Sequence, residues 1–340
     1  MPWPAADAIF HQDPRWQGSD GAYSVDLGRG RVLWLFGDTG VTTATGSAMA
    51  RNTVGLMTGL DPVTATMTFH WRTARDGRPA SFFPEQGKFW YWPEDGARLG
   101  AHGPLLVFLA RIRRERTGPP GWDFKDAGWK AVLIPNPDDD PSRWRLDRVR
   151  LPANRWNITV GSAGAMIRQG RLYTFGERNL GEGANHDEYL VRWPLTSAAA
   201  GDLSAPEWWA GKGRGFVPQA ALAQAPPPLF FDSALTESVY PTAQGRFVTT
   251  ETVGFGGAAL GVRNAPGLTG PWSDVSQIWR PPESDRKDTL VYGFKAHPEL
   301  SAAGALAVTY VASSTSTDPV VLFGTESNNY PRFVRLRVAH

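Results

Sequence analysis

"GSDGAYSVDLGRGRVLWLFGDTG", residues 18–40, reads as two strands joined by a tight turn. An aspartate stands at each end, Asp20 and Asp38, although acidic residues are depleted from sheets. With the turn centred on Arg29, residues equidistant from it face each other: Tyr23 and Leu35, Ala22 and Phe36, Asp20 and Asp38. Directly opposed residues have Cβ atoms about 4.5–5.5 Å apart, and like charges so placed repel. Carboxyl groups that close split their pKa values and hold one proton between them, which is an acid/base arrangement. In glycoside cleavage a separation of ~5–5.5 Å belongs to retaining enzymes and ~6.5–9.5 Å to inverting ones, so an opposed pair predicts the shorter class. A one-residue slip of register would undo the match. The alternative is an Asp at each hairpin mouth capping loop amides.

The same design recurs four times. "EDGARLGAHGPLLVFLARI" starts at Glu94, "SAGAMIRQGRLYTFGERN" at Ser162, "ESVYPTAQGRFVTTETVG" at Glu237 and "HPELSAAGALAVTYVASS" at His297. Each opens on a polar residue and runs through a small or apolar strand and a Gly-containing turn into a strongly apolar strand. Helical periodicity is almost absent, and short apolar runs are separated by Gly, Pro, Asn and Asp, the pattern of an all-β chain. Hairpins repeated at this spacing predict a single five-bladed β-propeller over residues 1–340, with blades starting near 20, 94, 162, 237 and 297. A β-sandwich with coincidental hairpins is the alternative. "RFVRLRV" near the C-terminus is expected to close the ring, and "TGPWSDVSQIW", residues 269–279, to form an outer strand of the fourth blade. Residues 123–141, with "NPDDDP", and the Ala- and Pro-rich residues 196–228 read as surface excursions without a core of their own.

In a propeller the innermost strands run the same way, so the hairpin mouths converge on one face. The equidistance rule places Glu237 opposite Glu251 in the fourth repeat and Glu177 near Ser162 and Ala163 in the third. The second repeat adds Glu94 and Asp95, and the fifth adds His297 and Glu299. Acids with one His are not a core composition; they suit sugar hydroxyls, a cation, or both. "FFPEQGKFWYWPEDG", residues 82–96, supplies Trp92 and other aromatics as packing or as flat platforms for sugar rings.

Composition narrows the alternatives. The formal net charge is +2, which argues against a nucleic-acid partner, and the run "RIRRER", residues 111–116, reads as a solvated strand edge. With no cysteine, a disulfide framework, zinc–thiolate binding and cysteine catalysis are excluded. No segment approaches the ~20 apolar residues of a membrane span. "MPWPAADAIFHQ" has neither a basic n-region nor an apolar h-region, so no signal peptide is expected and the cytoplasm stays open as a location. The motifs of nucleophile elbows, zincin helices, P-loops and EF-hands are absent. "GFGGAALG", residues 254–261, follows a strand but opens no helix, which argues against dinucleotide binding. No cofactor is required; any metal is expected to be a structural, calcium-like cation in the channel, since the donors are mostly oxygen.

The first hairpin, "RNTVGL", "YWPEDG", "HDEYLVRWPL", "LTGPWS", "KAHPEL" and "NNYPRFVRL" together resemble, in order and over nearly the whole chain, the bacterial five-bladed propeller proteins of glycoside hydrolase family 183, or a closely neighbouring uncharacterised group. The resemblance implies a secreted or periplasmic, retaining endo-D-arabinanase acting on α-D-arabinofuranosyl chains of mycobacterial type, expected here as a monomer with a polysaccharide or oligosaccharide partner. It implies an acid pair in the first blade, which falls on Asp20 and Asp38. Distantly similar furanosidases use one carboxylate from each of the first three blades; on that pattern Asp38 or Asp20 acts with Glu94 or Asp95 and Glu177. The opening of the third blade on Ser162 and the absence of an export signal depart from the pattern. Asp38 is assigned as nucleophile and Asp20 as acid/base, with the roles open to exchange. Arg51, Asn52, Trp92, Glu94, Asp95, Glu177, Glu237, Glu251 and His297 are assigned to substrate contact or to tuning the pair. A non-catalytic carbohydrate-binding propeller, or an exo-glycosidase or transglycosylase on another sugar, is the competing reading.

Overall fold

The strands of the first hairpin, Tyr23–Gly28 and Arg31–Phe36, pair with Tyr23 opposite Leu35, around a left-handed Arg29 (φ 56°) and Gly30 (φ 71°). The same alignment continues below them, where Trp16–Ser19 and Thr39–Thr43 place Ser19 opposite Thr39 and Gly18 opposite Gly40. The two halves of this ribbon nevertheless belong to different sheets, and the break falls between Ser19 and Tyr23 on one side and Phe36 and Thr39 on the other. Gly21, at φ 67°, makes that break in a conformation most residues avoid. Asp20 and Asp38 therefore lie at a seam between sheets, which accommodates acids that a strand interior disfavours.

In this computed structural model, residues 1–44, 46–115, 123–179, 186–232, 234–254, 258–300, 305–316, 322 and 329–337 are described. Parts of the repeats and motifs quoted above fall outside them, including Arg116, residues 255–257, residues 301–304 and Asn328. Among the described residues the chain is all-β apart from short helical turns such as Pro4–Asp7 and Leu195–Ala199. Besides the sheet of Trp16–Ser19, Thr39–Thr43 and Gly46–Ala50 and the short pair Arg72–Thr73 and Pro79–Ala80, five antiparallel sheets follow one another in sequence. The first continues from its hairpin through Thr53–Thr58 and Thr66–His70. The second orders Phe89–Arg98, Leu105–Arg114, Phe124–Ile134 and Asp147–Arg148. The third sets Thr159–Val160 and Met166–Arg168 against Arg171–Asn179, then His186–Pro194, Glu207–Trp209 and Phe216–Pro218. The fourth orders Ala234–Pro241, Phe247–Val253, Ala259–Val262 and Ser276–Trp279. The fifth orders Thr289–His297, Ala305–Ser314 and Pro331–Arg337. Pro2 bridges to Val334, and the Trp3 amide donates to the Phe333 carbonyl at 2.8 Å, so the chain's start joins its last sheet.

Consecutive sheets share their cores. Val25, Leu35, Tyr91 and Val107 lie between the first and second sheets, and Phe108, Trp129, Tyr189 and Trp193 between the second and third. Phe175, Val239 and Phe247 join the third to the fourth; Leu260, Phe294 and Tyr310 join the fourth to the fifth. Phe10, Trp34, Phe36, Ala307 and Phe333 join the fifth back to the first. Each buried Val, Leu or Phe among these contributes roughly 1.5–3 kcal/mol. The leading strand of the first sheet also touches those of the second and the fifth.

Several expectations are corrected. Glu94 is not the start of a repeat: the β-forming run Phe89–Trp92 precedes it in the same strand. His297 ends a strand that begins at Thr289. Residues 123–141 contain Phe124–Ile134, a full strand of the second sheet, and Asp138 in the following loop is bound by Arg98 and Arg31. Residues 196–228 bury Leu203, Trp208 and Leu222 in the core between the second and third sheets, despite their Ala- and Pro-rich composition. Glu251 faces Thr236 rather than Glu237, because the pairing that holds from Pro241 to Ser238 breaks at a bulge on Glu237. Glu177 faces Thr159 rather than Ser162 or Ala163, because residues 161–165 bow out between two short strands.

Candidate active site

Three strands cross the seam of the first sheet, and each carries a charged residue there. Asp20 and Asp38 are joined by Arg51, which follows the strand Gly46–Ala50 and precedes Thr53–Thr58. The Asp20 amide donates to the Asp38 carbonyl at 3.0 Å, and the Gly37 amide to the Asp20 carbonyl at 2.7 Å. A Cβ on Gly37 would meet the Asp20 carbonyl at 3.3 Å and Trp92 Cδ1 at 3.7 Å, so glycine lets these groups close up.

The two carboxyl groups have different partners. Asp38 accepts from Arg51 Nη1 at 2.9 Å and from Trp92 Nε1 at 3.0 Å. Trp92 is held edge-on by Phe124 at 4.8 Å, and Arg51 lies over the Trp90 ring at 4.6 Å. Asp20 accepts from the Tyr292 hydroxyl, carried on the leading strand of the fifth sheet. Burial pushes Asp20 up to about 7, reinforced by the Asp38 charge and opposed by hydrogen bonds from Tyr292 and Asn329. Burial also raises Asp38, but the Arg51 charge and the Trp92 and Arg51 hydrogen bonds oppose it. In a pair so arranged Asp20 is the better placed to hold a proton, and Arg51 and Trp92 favour the charge on Asp38.

Deeper along the same strands, one residue from each sheet meets in a polar layer. Tyr23 places its hydroxyl 2.7 Å from Glu94 Oε2 and 2.8 Å from the Ser162 carbonyl. Lys295 Nζ lies 4.0 Å from the Tyr23 ring centroid and forms a buried ion pair with Glu237, whose other oxygen accepts from Thr252 at 2.9 Å. Burial pushes Glu94 up to about 8, with Lys295 opposing it. Burial, then the Glu94 charge, raises Glu177 well above its ordinary value; Asp126, Glu237 and Lys295 also act on it. Bulges lie at Glu94 and Glu237 and just before Lys295; such bulges re-aim side chains and are frequent beside active sites.

Four assigned residues are used elsewhere. Asn52 is fully buried, its amide tied to the Phe83 amide and to the carbonyls of Phe83 and Tyr91. Asp95 accepts from the amides of Gly96 and Ala165, at 2.7 and 2.8 Å. Glu251 pairs with Arg263 at 3.0 Å and accepts from Thr249 at 2.6 Å. His297 is packed on Trp34, with Nδ1 2.6 Å from Ser24 Oγ and Nε2 2.7 Å from Thr309 Oγ1. Burial pushes its pKa down to about 3, so it is a neutral core histidine. Tyr292, Lys295 and Tyr23 were not singled out from sequence; only the position of Lys295 in "KAHPEL" distinguishes it. Of the aromatics in residues 82–96, Phe82, Phe83 and Tyr91 are core residues and Trp92 reaches the acid pair. Among the described residues, no three His, Asp or Glu side chains gather as a metal-ion site, and no helix is long and apolar enough to cross a membrane.

Solved structures share this fold over almost the whole chain. A candidate hydrolase from Bacteroides ovatus matches with a TM-score of 0.73 at 14% identity, covering 98% of this chain and 89% of its own. An α-L-arabinofuranosidase from Lactobacillus brevis matches at TM-score 0.53 and 14% identity, covering 97% and 93%. An endo-arabinase from Bacteroides thetaiotaomicron matches at 0.50 and 10% identity, covering 95% of each chain. The sequence matches no curated protein. Residues 5–338 match the family described as "Domain of unknown function (DUF5005)", and the chain belongs to that family.

Proposed function

We propose that the protein is a glycoside hydrolase built as a five-bladed β-propeller, with Asp20 and Asp38 as its catalytic pair. Five sheets with shared cores, the last joined to the first, support the propeller reading. The observation that carries the chemistry is the unequal environment of two opposed carboxyl groups. Asp38, whose negative charge Arg51 and Trp92 stabilise, attacks the anomeric carbon; Asp20, raised to about 7 by burial, delivers its proton to the leaving oxygen. Water, deprotonated by Asp20, then releases the glycosyl group from Asp38. Their positions on facing strands, one backbone hydrogen bond apart, favour the short separation of a retaining mechanism.

The substrate reading is an α-D-arabinofuranosyl polysaccharide cut internally, in keeping with the family 183 resemblance and with arabinan- and arabinofuranoside-directed enzymes among proteins of similar fold. Trp92 gives a sugar ring a flat wall beside Asp38, and Arg51 a donor for its hydroxyls. Incubation with mycobacterial arabinogalactan and a panel of other furanosides, with products sized, tests this reading. Arabino-oligosaccharides support it. Binding of the polysaccharide without cleavage favours a carbohydrate-binding propeller instead.

A further inference from the structure

Beyond the polar layer, the same strands line an open cavity of about 340 Å³. All five sheets contribute to it: in four of them the lining follows Asp20, Glu94, Glu237 or Tyr292 along the chain, the third supplies residues 165–167, and the cavity lies away from the acid pair. Lys295 and Tyr23 belong to both the polar layer and the cavity wall. Tyr240, Met166 and Val25 add aromatic and apolar surface. This volume is at the small end of ligand pockets, which span about 300–1,000 Å³.

Two polar groups in this wall are unsatisfied. Arg98, with 7% of its side chain exposed, has a buried Nε–H without an acceptor among the described residues. Glu299 Oε1 is buried and has no donor among them. A buried donor or acceptor left without a partner is costly, more so when charged. A donor and an acceptor in one small cavity suit an occupant that both accepts and donates.

Charge and geometry narrow that occupant. Asp26, Asp95 and Glu299 line the cavity beside Arg98 and Lys295, so the wall carries both signs and favours neither an anion nor a cation. No three acids gather as a cation site among the described residues. We propose that this cavity is a binding site for a small neutral polyhydroxyl ligand of monosaccharide size, with hydroxyls bonded to Glu299 Oε1 and Arg98 Nε and a ring face against the apolar wall. The site is separate from the acid pair and does not depend on its activity.

The test is titration with D-arabinose and D-glucose, followed by isothermal calorimetry and protein NMR, on the wild type and on Glu299→Gln, Met166→Trp and Trp92→Ala variants. Glu299→Gln should weaken binding of at least one sugar about tenfold, as expected for the loss of one hydrogen bond. Met166→Trp, which adds bulk to the apolar part of the wall, should abolish binding even if Glu299→Gln is poorly folded. Trp92→Ala should keep the binding that Met166→Trp removes. No saturable binding of either sugar would mean that the cavity holds water only and would overturn the proposal. Binding lost in Trp92→Ala but kept in Met166→Trp would place the sugar at the acid pair and overturn it equally.

Discussion

Asp20 and Asp38 face each other across one hairpin, yet each answers to a different neighbour: Tyr292 to Asp20, Arg51 to Asp38. The backbone makes the pair equivalent and the surrounding sheets make it unequal. Replacing either with Asn keeps the size and removes the proton chemistry. Asp20→Asn and Asp38→Asn should each lower kcat on the cleaved polysaccharide by about 10²–10⁴-fold. Melting temperature should hold or rise, since a buried acid near a like charge is removed. Steady-state kinetics beside thermal unfolding checks both.

The rate should follow a bell in pH. Asp20 must carry its proton, so activity falls as pH rises through about 7. Asp38 must be ionised, so activity also falls in acid, at a pH above the ordinary carboxylate value. Tyr292→Phe removes a donor that favours the charged form of Asp20. The alkaline limb should then move up by about 1–2 pH units, from a charged hydrogen bond of about 1.5–3 kcal/mol. A pH–rate profile with the alkaline limb unmoved would place Tyr292 outside the acid's control.

Arg51 acts on the other limb. Arg51→Met removes the cation that opposes burial at Asp38, and opposite charges at this range shift a carboxyl by about 1–3 pH units. The acid limb should move up by a similar amount and narrow the bell. Trp92→Phe, which removes one neutral donor, should move it the same way by about one unit or less. A fall in kcat with both limbs in place would show that Arg51 serves substrate binding alone.

Stability should fall as pH rises above neutrality. Burial holds Glu94 up to about 8, and Asp20 and Glu299 up to about 7. The folded chain therefore binds more protons than the unfolded one from the ordinary carboxylate range up to these values, and raising pH favours unfolding. His297, held down to about 3, works in the opposite direction only below its ordinary value of 6.5. Thermal unfolding from pH 6.5 to 8.5 should show a falling Tm, and Glu94→Gln should flatten it.

The first hairpin could be read from sequence because a two-strand ribbon with a Gly-flanked turn has one plausible centre, and its register is kept from Tyr23 down to Gly18. The same arithmetic failed at Glu237 and Glu177, where a bulge and a bowed segment take up residues that no local signal marks. His297 illustrates a second limit. Its charge-bearing type suggested the channel, but burial against Trp34 is decided by sheets far apart in sequence. Tyr292 and Lys295 show the converse, for their roles arise from contacts with Asp20 and Glu237, more than fifty positions away.

The most direct test is the anomeric course of hydrolysis, followed by NMR as mycobacterial arabinogalactan is digested by the wild type and by Asp38→Asn. The account predicts oligosaccharides whose first-formed anomer matches the bond cleaved, and no such products from Asp38→Asn. Inverted product would contradict the nucleophile assignment, and undiminished cleavage by Asp38→Asn would contradict the catalytic pair itself.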